Sequence, residues 1–119
     1  MAKLKNIFVK GINTIFGVFE EATHSGTYVQ VADDGFGTVT EESDDVRCIF
    51  EKFTEKDVEL LTFSNLIQPS DIKGLVPAED ITLDMNVAGH CVFDGIEYSV
   101  EGQELDPMNV IYTLLLRAT

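Results

Sequence analysis

Ile67–Ile81 reads I-Q-P-S-D-I-K-G-L-V-P-A-E-D-I, and it opens the stretch that decides the fold. Val92–Val100 follows as V-F-D-G-I-E-Y-S-V, Glu104–Pro107 as E-L-D-P, and Val110–Arg117 as V-I-Y-T-L-L-L-R. Short apolar runs alternate there with Pro, Gly and Asp. Strands favour β-branched and aromatic residues, and turns favour residues that preset or permit unusual φ. The pattern therefore predicts a small antiparallel β-unit. Asp71–Val76 is a strand stopped by Pro77, and 81–85 is a short strand or a turn. Asp94-Gly95 is a strong two-residue hairpin signal between strands at 90–93 and 96–101. Gly102–Asp106 leads into a turn at Pro107. Val110–Arg117, almost continuously apolar, is a strand that is central or buried on both faces.

Upstream of this unit, Thr27–Ala32 alternates as a strand, and Asp33–Gly37 is a turn. Residues 38–45 (T-V-T-E-E-S-D-D) carry four acids, too many for a core, so 33–45 is expected to be an exposed acidic loop or an extended hairpin tip. Asp45–Phe53 is the next strand, with Val46, Cys48 and Phe50 on one face and Arg47, Ile49 and Glu51 on the other. Thr54, with Asp57 three residues on, reads as an N-cap for a short helix over 55–62, with a strand at 58–63 as the competing reading. Residues 2–21 form an amphipathic helix. Leu4, Ile7, Phe8, Ile12, Ile15, Phe16 and Phe19 share an apolar arc of roughly 200°, where a surface helix needs about 100°. So wide an arc is expected to pack on its own domain and also against a neighbouring subunit. The fold class that follows is mainly β: one domain spanning 1–119, a small antiparallel β-barrel of about five to seven strands over 27–117, with an N-terminal α-helix.

Charge narrows the function. The chain carries 21 acidic and eight basic groups, net −13. Residues 1–19 hold Lys3, Lys5 and Lys10 and no acid, so the remaining hundred residues carry −16. Such a body does not hold duplex DNA through phosphate contacts, because that affinity comes from Lys and Arg. It suits a solubilising surface, or one that repels a polyanion or meets a basic partner. Lys10, Asn13 and Thr14 interrupt the N-terminal apolar run and no small-x-small site follows, so a soluble, unprocessed chain without a membrane span is expected. Cys48 and Cys91 sit in separate apolar runs and read as buried, reduced thiols.

No chemistry-bearing pattern stands out. His24 and His90 are the two histidines, and His90-Cys91 in a strand point to opposite faces, so they do not share a metal. The spacings of zinc and calcium sites are missing. Gly35-Phe36-Gly37 has neither the Lys nor the following helix of a phosphate cradle. Glu41-Glu42 lie in a solvated run, where burial does not tune a pKa. Binding or assembly is expected rather than catalysis, with no cofactor and no metal.

The region 65–117 resembles the head-completion, or stopper, proteins at the head–tail connector of long-tailed bacteriophages. The residues that carry the likeness are Gln68–Asp71 (Q-P-S-D), the strand Ile72–Val76 before Pro77, the hairpin Asp94–Val100 (D-G-I-E-Y-S-V), the Asp106-Pro107 turn and the closing Ile111–Arg117 (I-Y-T-L-L-L-R). The resemblance implies a structural virion protein made in the host cytoplasm. Six or twelve copies would form a ring, with portal or adaptor above and tail terminator or tail tube below. Packaged DNA would pass through without specific binding. In such a ring Asp33, Asp34, Glu41, Glu42, Asp44 and Asp45 are candidates for the channel lining or gate, and the apolar arc from Leu4 to Phe19 for subunit or adaptor contacts. The competing readings are a tail-terminator or adaptor subunit, a monomeric acidic β-barrel that binds a basic protein or peptide, and an acidic DNA mimic.

Overall fold

The computed structural model describes residues 9–11, 13, 23–33 and 35–119. Six strands, β1 (Thr23–Asp33), β2 (Val39–Glu51), β3 (Ile72–Pro77), β4 (His90–Phe93), β5 (Ile96–Leu105) and β6 (Ile111–Ala118), close into an antiparallel barrel in the order β1-β2-β3-β6-β5-β4. A short helix, α1 (Glu55–Leu60), and single 3-10 turns at Ser64–Leu66 and Ala78–Asp80 connect them. Of the helix expected at 2–21, residues 9–11 and 13 are helical. Leu4, Ile7, Phe8, Ile12, Ile15, Phe16, Phe19 and Asp34 lie outside the described residues. No helix among the described residues is long and apolar enough to cross a membrane.

The strands form where alternation requires them to. Val46 and Cys48 point inward with Tyr28, Val76, Cys91, Phe93, Tyr98, Leu114 and Leu116, and Phe50 packs against this cluster. Phe50 meets Phe93 and Tyr98 edge-on, with ring centroids 5.4 and 5.7 Å apart. The barrel is therefore filled by its own side chains and holds no channel. Asp94 (φ 54°) and Gly95 (φ 77°) both adopt left-handed backbone, as the two-residue turn between β4 and β5 demands. In β6, Leu114, Leu115 and Leu116 are all buried, so the strand is covered on both faces as its sequence predicts. Leu115 faces outward, beside Gly102 in the register. Phe63 lies against the Gly102 backbone, so close that a Cβ there would sit 2.7 Å from its ring.

The sequence reading needs three corrections. Residues 39–45 are strand rather than loop: they pair with 27–33 in unbroken register, as the hairpin alternative anticipated. β5 does not end at Glu101, although the turn at Pro107 forms as expected. A bulge between Val100 and Gly102 lets it run on to Leu105, and the turn falls at Asp106–Val110. There the Asp106 carboxylate accepts hydrogen bonds from the amides of Met108, Val110 and Ile111. The barrel spans 23–118, because β1 begins four residues earlier than Thr27 and β6 reaches Ala118. Residues 81–85 take the turn alternative. The helix after Thr54 forms as expected. Thr54 Oγ1 accepts from the Asp57 amide, the Asp57 carboxylate accepts from the Thr54 amide, and Lys73 Nζ donates to the same carboxylate at 3.1 Å.

Both thiols are free and fully buried. Burial pushes both pKa values up, that of Cys91 to about 12, so neither forms the reactive thiolate near neutrality. In native protein at pH 8, neither should react with a maleimide within the time that denatured protein reacts completely. Mass spectrometry of the quenched samples checks this.

Candidate functional site: an acidic β-arm

β1 and β2 pair along all of β1, from Thr23 opposite Ile49 to Asp33 opposite Val39. Their outer neighbours are far shorter. β4 takes only Gly26–Val29 of β1, and β3 takes only Ile49–Glu51 of β2. The distal part of the hairpin therefore leaves the barrel as a two-stranded arm. Its sequence explains why it forms without a neighbour: Val and Thr favour extended backbone, and Asp33 Oδ1 accepts from the Gly35 amide at 2.8 Å to shape the turn.

Register sorts the arm's side chains into two faces. Gln30, Ala32, Thr40, Glu42 and Asp44 share the face that continues the barrel interior. Val29, Val31, Asp33, Val39, Glu41 and Asp45 share the other. The arm carries apolar surface as well as charge: Val31 is 51% exposed, Val39 61% and Phe36, at the turn, 92%. Like charges along the β2 edge deter pairing with the same edge of another molecule.

The six acids proposed from sequence as one channel-lining set are not equivalent. Asp44 is structural. Its carboxylate accepts from the Thr82 hydroxyl at 2.7 Å and from the Thr82 and Leu83 amides at 2.8 and 3.1 Å. Burial acts to raise its pKa, but these bonds outweigh burial and hold it below the usual carboxylate range. Asp44 thereby ties the segment after β3 across the barrel end, where Gln30 Nε2 donates to the Asp84 carbonyl and to Tyr28 Oη. Asp33 shapes the turn. Glu41, Glu42 and Asp45 remain exposed and hold no partner among the described residues, with Glu42 on the opposite face from the other two.

The opposite end of the barrel is closed by His24, which stacks on Phe50 at 4.1 Å and bonds Asp94 at 2.6 Å, so it is a satisfied structural histidine. Two arginine clamps close the outer wall. Arg47 grips Asp80 through Nε and Nη2 at 3.0 and 2.9 Å, and Arg117 grips Asp71 in the same two-pronged way at 2.9 and 2.8 Å. Among the described residues no group of three or more His, Cys, Asp or Glu is placed to hold a metal.

The sequence reading missed the arm's apolar component. The signal was there: Val31 and Val39 alternate with Asp33 and Glu41, and Phe36 is a bulky aromatic between two glycines in a turn. Comparison of the chain with family models, with curated proteins and with solved structures gives no match.

Proposed function

We propose that this chain is a structural subunit of the head–tail connector of a tailed bacteriophage, a stopper that assembles as a ring below the portal or adaptor. The ring closes the DNA-filled head, continues the DNA channel and offers the tail its attachment platform. No catalytic step is assigned to it. The observation that supports the reading most is the acidic arm standing off a side-chain-filled barrel. DNA would pass between subunits, past Glu41, Glu42 and Asp45, whose charges repel phosphates so that the genome slides without sticking. The motif pattern of residues 65–117 supports the same reading.

The direct test adds purified protein to DNA-filled, tail-less heads. A ring at the portal vertex by negative stain, with retention of DNA, is the expected result. Binding to isolated tail tubes and not to heads would make the chain a tail terminator, and binding to neither would remove the connector reading. Within assembled particles, the triple charge reversal E41K/E42K/D45K should leave assembly intact and slow DNA ejection measured by dye release. Asp44 is left out because its loss would unfasten the barrel end. Unchanged ejection would remove these acids from the channel lining.

A further inference from the structure

The outer edge of the arm is an unfinished ladder. In an antiparallel pair, the amide and carbonyl of successive residues point alternately towards the partner strand and away from it. The Arg47 amide points away from β1 and donates to Asp80 Oδ2 at 3.0 Å, and β3 takes up the same row at Ile49 and Glu51. By this alternation Asp45, Ser43, Glu41 and Val39 also turn their amides and carbonyls outward. At Arg47 the Asp80 carboxylate stands where a further strand would put its carbonyl. Among the described residues nothing bonds to the outward groups beyond it, and residues 39–43 and Asp45 are exposed. The register with β1 is unbroken here, and 39–45 holds no Pro or Lys, so neither a bulge nor those residues close the edge.

Charge selects the strand that fits. Between His24 and Arg47 the chain holds six acids and no Lys or Arg. Pairing this edge with its own copy sets Glu41, Glu42 and Asp45 against the same acids, and the other edge of the arm offers Asp33. A second copy is therefore a poor occupant through either edge. A cationic strand instead finds opposite charge on both faces, Glu41 and Asp45 on one and Glu42 on the other. Near the turn, exposed Val39 and Val31 add an apolar contact.

We propose that residues 39–45 of β2 are a docking edge for an extended basic segment of another protein. The segment adds as an antiparallel third strand, its main chain bonding Val39, Glu41, Ser43 and Asp45 and its Lys or Arg side chains facing Glu41, Glu42 and Asp45. Main-chain bonds hold it, and the spacing of charge sets its register. The proposal goes beyond the connector reading and does not rest on it. Within that reading the pairing belongs to the subunit before DNA passes, because a bound cationic strand cancels the repulsion that lets DNA slide.

The peptide K-T-T-K-K-T-V, written to run antiparallel from Asp45 to Val39, tests it in a titration against the full chain followed by amide chemical shifts. Binding at millimolar peptide is expected, with the largest shifts at 39–45. The same peptide N-methylated at the two residues facing Ser43 and Glu41 keeps every charge and should bind at least about tenfold more weakly. Ser43→Pro should weaken binding similarly, since it removes an outward amide and none that faces β1. If Ser43→Pro does not fold, the N-methylated peptide decides, because it leaves the protein untouched. Equal binding by the N-methylated peptide would mean attraction by charge alone and would overturn the strand pairing. Equal binding by a version with Glu in place of Lys would overturn the basic partner. The absence of shifts at 39–45 would overturn the proposal outright. Shifts there that arise on concentrating the protein alone would overturn it in favour of a second copy.

Discussion

Phe93→Ala is expected to cost about 3–5 kcal/mol, a large part of the roughly 5–15 kcal/mol that holds a domain of this size. Phe93 is fully buried, meets Phe50 edge-on and lies 6.4 Å from the Tyr98 ring. It also sits opposite Gly26 in the β1–β4 pairing that closes the barrel. Truncation leaves a cavity at the seam, and Gly26 opposite has no side chain to fill it. Urea unfolding should show the midpoint falling by more than about 1 M with little change in slope. A loss below about 1 kcal/mol would mean that the seam does not depend on this ring. The reverse substitution, Gly26→Ala, is not rescued by shrinking Phe93. Its Cβ would meet Phe93 Cδ1 at 2.5 Å and would also fall on the Val92 carbonyl oxygen, which is backbone.

Asp71→Asn should cost about 2–3 kcal/mol at neutral pH and should flatten the acid limb of the stability curve. The Asp71 side chain is fully buried and Arg117 is 28% exposed, so the arginine regains some water when the pair is broken and the loss stays at the low end for a buried pair. The Arg117 guanidinium, and after it the Gln68 amide, hold the Asp71 carboxyl below its ordinary pKa. A carboxylate depressed in the folded state adds stability above its unfolded pKa of about 3.9, and that stability is lost as pH falls through the folded value. The difference between wild type and Asp71→Asn should therefore be constant from pH 7 to 5 and shrink below pH 4. Residual acid sensitivity in the variant is expected from Asp44 and Asp57, whose carboxyls are also held low. For both, hydrogen bonds outweigh burial, with Lys73 assisting at Asp57. A difference that does not change down to pH 3 would show that Asp71 gains nothing from being ionised.

Much of the barrel was legible because its signals are local. Asp94-Gly95 names its own turn through the φ values it permits, Thr54 and Asp57 name their own cap, and the inward alternation of Val46, Cys48 and Phe50 needs no knowledge of a partner. The run Leu114–Leu116 announces burial on both sides. The bulge near Glu101 was not legible: whether β5 stops at Gly102 depends on Phe63, almost forty residues away, needing a glycine to lie against. Nor was the division of labour among the acids. In sequence Glu41, Glu42, Asp44 and Asp45 are four neighbours in a polar run, and only the approach of Thr82 and Leu83 makes Asp44 a fastener and leaves the others exposed.

The sequence by itself determined an acidic, mainly β chain with turns at Asp94-Gly95 and Pro107, because composition, alternation and turn chemistry act within a few residues. Only the tertiary structure decided that 39–45 pairs with 27–33 as an arm rather than lying in a loop, and that the barrel interior is filled by side chains. Those features come from where β3 and β4 stop pairing with β2 and β1. The lengths of those ladders are set by contacts between distant segments, which no local pattern encodes.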